Sequence, residues 1–434
     1  MRIWETLQGW VWGPGTLVLL MGMGVYLLVA LRGLRFWKSW IWRCTFGSMG
    51  KGRKNGISPF QAMATALGGT LGVGNISGVA MALVLGGPGA VFWMWCAALG
   101  GCAIKYAEVA LAVRFRTRRG DEWHGGPMFV LEKAGWPRMA KLYALLGICA
   151  SFGIGNMTQA NTMAAALYQS FQIPPNITGA VLMAVLALVI WGGARRVARV
   201  AEVVVPFMGL FYIVMCAVVL YMFAPRIPWA FGQILQGAWQ LRAGAGGVVG
   251  YAAAQAIRQG MSKGVFSNEA GLGSASVAHA AAEVHNPVAQ GAWGIMEVVL
   301  DTLVVCTLTA LVILVSGVMD TSMTGIALSV VAFDTIRGWG GTLVSVSIVF
   351  FSFASMLGWS FYGERFVIYV GKGRGVMAYR CLFLLAAYMG AVANMAAVWG
   401  VSEIMNGLMV YPNLLGIWVM RKELIKMTAH YFRK

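Results

Sequence analysis

Runs of about 20 consecutive apolar residues recur along the whole chain, and they constrain its fold more than any other feature. Each is long enough to cross about 30 Å of hydrocarbon as a helix. Where no water reaches the backbone, its polar groups must pair within the segment, so these runs must be helical. Only 11% of the 434 residues are charged and 59% are hydrophobic, whereas soluble domains carry about 25% charged residues. The ten-residue alternation of a membrane β-barrel is absent. The pattern is that of an all-α integral membrane protein with about eleven transmembrane helices. They fall near 11–31, 58–85, 88–114, 139–169, 176–193, 200–223, 248–285, 288–318, 342–369, 377–398 and 401–420. The stretches 225–242 and 320–339 read as amphipathic segments at the interface. The apolar run from Leu17 to Leu31 reads as a retained span, since no cleavage signal follows it.

The formal charge of +18 suggests nucleic acid until its distribution is considered. With the N-terminus outside, 25 of the 33 basic residues fall in inner loops and the tail, and four (Arg2, Arg226, Arg242 and Arg337) fall outside. Such asymmetry marks topology, with the N-terminus out, the C-terminus in and an odd number of spans, and not a nucleic-acid face. The seven cysteines are scattered without a CxxC pair and the four histidines form no HExxH, so free thiols are expected and zinc is not. No nucleophile–base pair and no Walker loop appears. The chain does not read as an enzyme or as a nucleotide-driven pump.

Two spans differ from the rest. The second contains Gly68-Gly69-Thr70-Leu71-Gly72-Val73-Gly74-Asn75-Ile76-Ser77-Gly78, and the seventh contains Gly264-Val265-Phe266-Ser267-Asn268-Glu269-Ala270-Gly271-Leu272-Gly273. Glycine at mid-depth weakens helix continuity. Small-residue packing explains one or two glycines, but not five between Gly68 and Gly78. The two stretches lie five spans apart, so they run in opposite directions through the membrane. Paired broken segments of this kind point to a secondary transporter's binding site. A break frees amide N–H groups that suit a carboxylate and carbonyls that suit a small cation.

Other polar residues inside spans are candidates for the same site. Asp301 and Glu297 lie one turn apart on one helix face, and Asp301 either ligates a cation or makes a helix–helix hydrogen bond. Ser267-Asn268-Glu269 reads as a cap with a first-turn acid for the second half of the seventh span, with Glu269 alternatively pairing with Arg258 or Lys263. Lys105 and Glu108, three apart, are expected to pair with each other. Asn156, Thr158, Gln159 and Asn161 cluster where lipid would be costly, so that face should see a cavity. Ser352, Ser355 and Trp359 share one helix face, with Trp359 either an aromatic plug or core.

The stretch 64–95, with Thr70-Leu-Gly-Val-Gly-Asn-Ile-Ser-Gly-Val-Ala and Gly86-Gly-Pro-Gly-Ala, resembles the alanine/glycine:cation symporter family. So do Gly153-Ile-Gly-Asn-Met-Thr-Gln-Ala-Asn, Phe266-Ser-Asn-Glu-Ala-Gly-Leu-Gly-Ser-Ala and Gly358-Trp-Ser-Phe-Tyr-Gly-Glu-Arg. The likeness runs in order along nearly the whole chain. It implies the leucine-transporter-like fold: an extra helix and basic loop in 1–57, inverted five-helix repeats in 58–223 and 248–420, and a basic cytoplasmic tail in 421–434. It further implies sodium-coupled uptake of alanine, glycine or a similar small neutral amino acid, D-alanine and serine included, across a prokaryotic plasma (inner) membrane. A monomer in the lipid bilayer would suffice. By that likeness Thr70, Gly72 and Gly74 supply main-chain contacts to the substrate carboxylate, and Asn75 serves substrate or cation. Gln159 and Asn161 face the amino group, Phe266 lies beside the substrate, and Trp359 limits side-chain size. Sodium falls to Gly68, Leu71, Asn75, Asp301, Ser352 and Ser355. The chain departs from the family pattern at Val73, where relatives often carry a polar residue, and at the bulky Leu71. Coupling to protons through Asp301 or Glu269, or an amino-acid-binding channel or sensor, are the competing expectations.

Overall fold

The computed structural model describes residues 9–33, 39–47, 56–239, 248–320, 323–335, 338–393 and 395–433. Arg2, Arg35, Lys38, Lys51, Arg53, Lys54, Arg242, Arg337 and Lys434, which entered the charge asymmetry, lie outside the described residues. After α1 (Pro14–Ala30) and the short α2 (Ser39–Phe46), α3 (Pro59–Thr70) is started by Ser58. The Ser58 side chain accepts from Gln61 N at 3.0 Å, and Gln61 Oε1 accepts from Ser58 N at 2.9 Å. With Pro59 at the first helical position, this box fixes where the helix begins. α3 stops at Thr70, a single turn covers Val73–Asn75, and α4 (Ser77–Gly86) resumes at a 60° bend.

α5 (Gly89–Arg114) is almost wholly buried and forms the centre of the molecule. α1 packs on it backbone to backbone, since a methyl on Gly24 would lie 2.8 Å from the Gly100 Cα. A small hairpin, β1 (Thr117–Arg119) and β2 (Glu122–His124), leads into α6 (Pro127–Lys133). α7 (Pro137–Phe152) and α8 (Thr158–Phe171) form one span joined by a widened π turn at Gly153–Met157. α9 (Pro175–Ile190), α10 (Gly193–Met222) and α11 (Ile227–Trp239) follow.

α12 (Val248–Asn268) ends at an irregular stretch, and α13 (Ser276–Ala280) is a short helix beyond it. The seventh span is therefore broken, but later than a cap at Ser267 would place it. Ser267 and Asn268 close the first half and do not start the second, and the turn is made by Glu269, Gly271 and Gly273 with φ of 54°, 99° and 78°. α14 (Pro287–Val298) and α15 (Thr307–Ser316) are one span with a π-helical segment between Val299 and Cys306. α16 (Gly325–Asp334) is an apolar helix packed into the protein, not the amphipathic segment expected over 320–339. Leu328, Ala332 and Phe333 are fully buried, and Ser329 donates to the Ile76 carbonyl at 3.3 Å. α17 (Gly340–Gly371), α18 (Val376–Val392), α19 (Met395–Leu408) and α20 (Val410–Tyr431) complete the fold. α20 carries helix through most of the stretch 421–434 expected as a tail.

Among the described residues, six helices are long and apolar enough to cross a bilayer, and the bent pair α3–α4 makes a seventh. α9, α16 and α18 are shorter apolar helices. The outward faces of α9, α10 and α18 carry exposed Val and Leu side chains such as Val181, Leu188, Val203, Leu210 and Leu382, the pattern that lipid favours.

Candidate functional site

The break in α3–α4 is held by its own asparagine. Asn75 Oδ1 accepts from Gly72 N at 3.0 Å, an orphan donor that a continuous helix would have satisfied. Its Nδ2 donates to Asp301 Oδ1 at 2.7 Å, to the Asp301 carbonyl at 3.3 Å and to Cys306 Sγ at 3.3 Å. Asp301 Oδ2 accepts from Ser267 Oγ at 2.8 Å and from Thr302 Oγ1 at 2.7 Å. A fully buried carboxylate thus joins both broken helices, through Asn75 on one and Ser267 on the other. The two breaks also touch directly: a methyl on Gly74 would lie 3.4 Å from the Phe266 ring and 3.6 Å from the Ser267 Cα.

Around this knot the other elements close in. Gln159 Oε1 accepts from Val73 N at 3.4 Å, and its Nε2 donates to the Ile154 carbonyl at 3.1 Å across the π turn. Thr70 ends α3 with its hydroxyl on the Leu67 carbonyl at 3.1 Å. α17 runs against α3 so closely that a methyl on Gly358 would lie 2.6 Å from Gly69 N. Ser355 Oγ donates to the Gly69 carbonyl at 3.1 Å, while the Ser352 hydroxyl is buried without a partner. Gly68 packs near the Ala354 carbonyl, and Leu71 is buried at the helix end. Trp359 lies over Gly155 and donates Nε1 to Glu269 Oε1 at 3.0 Å.

A sequence profile of the sodium:alanine symporter family matches residues 1–434. The chain belongs to this family. The chain is 41% identical to the "Sodium/alanine symporter AgcS" of Methanococcus maripaludis, over 98% of this chain and 96% of that protein. It is 32% identical to the "Putative sodium/proton-dependent alanine carrier protein YrbD" of Bacillus subtilis, over 99% of this chain and 92% of that protein. The crystal structure of MhsT in complex with L-phenylalanine superposes with a TM-score of 0.59 at 14% identity, covering 85% of this chain and 90% of that one. That likeness shows a shared leucine-transporter-type fold. The protein is a multi-pass membrane transporter and not an enzyme.

Asn161 Nδ2 donates to the carbonyls of Gly390 at 2.9 Å and Ala393 at 2.8 Å, at the end of α18, and its Oδ1 is buried without a partner. It lies two positions after Gln159, about 200° around the helix axis. Two expectations need correction. Lys105 pairs with Glu297 at 3.2 Å and not with Glu108. Glu108 accepts from Gly271 N at 2.8 Å and from Asn413 Nδ2 at 2.6 Å, so it supports the second break. Lys263 pairs with Glu403 at 3.1 Å and not with Glu269, whose carboxylate takes Trp359 and the Ser274 hydroxyl.

Thr302, Cys306, Glu108 and Asn413 were not singled out as site residues, although each is a polar or thiol side chain set in an apolar run. On the hairpin side of the second break, Arg116 donates to the carbonyls of Ala280 at 3.0 Å, Val284 at 2.6 Å and Ala282. This clamps the C-terminal end of α13. Partial burial lowers the Arg116 guanidinium to about 10, with Glu283 opposing. On β2, burial and the neighbouring Arg365 guanidinium push His124 down to about 4. Burial acts to raise the Glu122 carboxyl, but the Arg365 charge outweighs it and holds the group below its ordinary value.

Proposed function

We propose that the protein imports a small neutral amino acid together with sodium, by alternating access around the two breaks. Alanine and glycine head the list of substrates, with serine and D-alanine as further members of the class. The observation that carries this reading is the Asn75–Asp301–Ser267 knot. A negative side chain at mid-depth is costly unless a cation or strong donors compensate it, and here it bridges two helix breaks. The amides of Gly72 and Val73, held here by the side-chain oxygens of Asn75 and Gln159, would turn to the substrate carboxylate near the start of α4. Thr70, Gly72, Gly74 and Gln159 would line that site, with Phe266 against it and Trp359 limiting side-chain size. One sodium would take Asn75 and Asp301. A second would take the carbonyls of Gly68 and Leu71 with Ser352 and Ser355, and the unpartnered Ser352 hydroxyl favours it.

The same reading places two inverted five-helix repeats in 58–223 and 248–420, after one extra N-terminal helix. It also places the N-terminus outside and the C-terminus in the cytoplasm, from the Lys and Arg asymmetry. Reconstituted protein tests it through labelled alanine and glycine uptake under imposed sodium, proton or no gradients. Accumulation driven by sodium is expected. Accumulation driven by protons alone would transfer the coupling to Asp301 or Glu269, and flux without accumulation would indicate a channel.

A further inference from the structure

On the hairpin side of the two breaks, one arginine is buried with two of its three side-chain nitrogens unpaired. Arg365 of α17 is 2% exposed. Its Nη1 donates to Glu122 Oε2 at 2.8 Å and lies 3.1 and 3.2 Å from His124 Nε2 and Nδ1. The guanidinium lies over the Phe361 ring, 4.9 Å from its centroid. Nε and Nη2 are buried without a protein partner. Buried donors are nearly always paired, and leaving one unmade is most expensive on a charged group.

The two unpaired donors are adjacent. Nε–H and one N–H of Nη2 lie on the same edge of the planar guanidinium and point the same way, a fork that matches both oxygens of a carboxylate. Among the described residues, Glu122 is the one carboxylate paired with Arg365, and it takes Nη1. That pair fixes the side chain and leaves its carboxylate-binding edge unused. Neighbouring arginines are engaged elsewhere: Arg116 on the carbonyls after α13, and Arg380 on Glu364.

Thr117 supplies a second, independent observation. It stands opposite His124 in the hairpin, so the two side chains share a face, and the register puts Glu122 on that face as well. The Thr117 hydroxyl is also buried without a partner. Three unpaired donor groups therefore belong to the junction of α17 with this face of the hairpin.

The junction lies on a direct line from the first break. Arg365 comes seven residues after Gly358, which returns it to the same helix face about 10 Å further along the axis. That face packs on α3: a methyl on Gly358 would lie 2.6 Å from Gly69 N, and Tyr362 donates to the Ala66 carbonyl at 3.1 Å. Arg365 thus sits two turns from the break, at the hairpin end of the seam between α3 and α17.

We propose that the Nε–Nη2 edge of Arg365, with the Thr117 hydroxyl, is a second carboxylate site, which takes the amino acid as it passes between the breaks and the hairpin face. The inference rests on the amino-acid transport reading above. When α3 and α17 part at that end, the carboxylate leaves the first break and next meets the Arg365 fork. Glu122 keeps Nη1 throughout, so the arginine receives the carboxylate without moving.

Vesicles holding the protein in one orientation give the alanine KM at each face by exchange. Arg365→Lys keeps the charge and the Glu122 pair but loses the fork. It should raise the hairpin-face KM by about tenfold and change the other face by less than about twofold. Thr117→Val, which removes only the hydroxyl, should raise the same KM by about two- to fivefold. Glu122→Gln removes the ion pair and keeps the fork, so its hairpin-face KM should stay within about twofold of the unaltered protein. An equal rise at both faces in Arg365→Lys, or the same rise in Glu122→Gln, overturns the proposal. If Arg365→Lys does not fold, the unaltered protein decides through phenylglyoxal modification of Arg365, read by mass spectrometry. Acetate, a carboxylate without the amino group, should slow that modification as alanine does, and alaninol and chloride should not. Protection by alanine alone would mark closure around the breaks and overturn the proposal, as would equal protection by chloride. Absence of sodium-driven alanine accumulation would sink the transport reading, and acetate protection would still decide the carboxylate site.

Discussion

Gly155→Ala probes how Trp359 is held over the π turn. A methyl at this position would sit 2.2 Å from Trp359 Cγ and 2.3 Å from its Cβ, so contact at about 3.5 Å or more requires a shift of over 1 Å. Trp359 is 1% exposed, and its ring packs edge-on to Tyr362 with centroids 5.5 Å apart. It cannot move without losing its 3.0 Å hydrogen bond to Glu269. Overpacking a filled core costs roughly 1–3 kcal/mol. Loss of a hydrogen bond to a charged acceptor adds about 1.5–3 kcal/mol, giving about 2.5–6 kcal/mol in all. Thermal unfolding of the purified protein in detergent, with and without alanine, measures the loss. Repeating the substitution in a Trp359→Ala background, where the ring, Cγ and the hydrogen bond are already gone and only Cβ remains, should remove the hydrogen-bond part of the penalty, with a coupling above about 1 kcal/mol. An equal penalty in both backgrounds would refute the placement of Trp359 against Gly155.

Asn75→Ala leaves Gly72 N buried without an acceptor, at a cost of about 1–3 kcal/mol, and alanine should no longer raise the unfolding midpoint. Normal protection by alanine in that variant would remove Asn75 from the site. Ser352→Ala deletes a buried hydroxyl that has no partner, so stability without sodium should hold or rise while the sodium KM of uptake rises. An unchanged sodium KM would remove Ser352 from the cation ligands. Gly273→Ala forces a side chain into φ of 78° and against Pro127 Cγ at 2.4 Å, and should cost about 1–3 kcal/mol, read as a lower unfolding midpoint. On β2, folding depresses the His124 pKa to about 4, so the unfolded chain takes up that proton first. Stability is complete above about pH 6.5 and is lost as pH falls toward 4. His124→Gln should flatten that part of the midpoint-versus-pH curve, and an unaltered slope would exclude His124 as its source.

The helix break and the buried acid beside it were legible because their cost is local. Gly72-Val73-Gly74-Asn75 cannot continue an ordinary span, and the structure bends the chain there by 60°. Asp301 is conspicuous in any apolar run, and the structure buries it completely. The direction of side chains one or two residues away was not legible. Gln159 meets the break while Asn161 meets α18, and only the rotation of α8 against its neighbours separates them. The hairpin at Thr117–His124 escaped notice because three-residue strands leave no periodic signal.

The amino-acid order alone determined that the chain is a helical membrane protein, where two of its helices must break, and which loops carry the positive charge. These follow from hydropathy, backbone freedom and charge counts, properties each segment has on its own. Tertiary structure decided which partner each buried polar group found: Lys105 with Glu297, 192 residues away, and Asn75 with Asp301, 226 residues away. Lys105 had a nearer candidate in Glu108, three residues on. Which carboxylate it meets depends on the faces that α5, α12 and α14 turn to one another, and those are set by packing around close-contact glycines such as Gly294, where an added methyl would meet Lys105 Cγ at 3.1 Å.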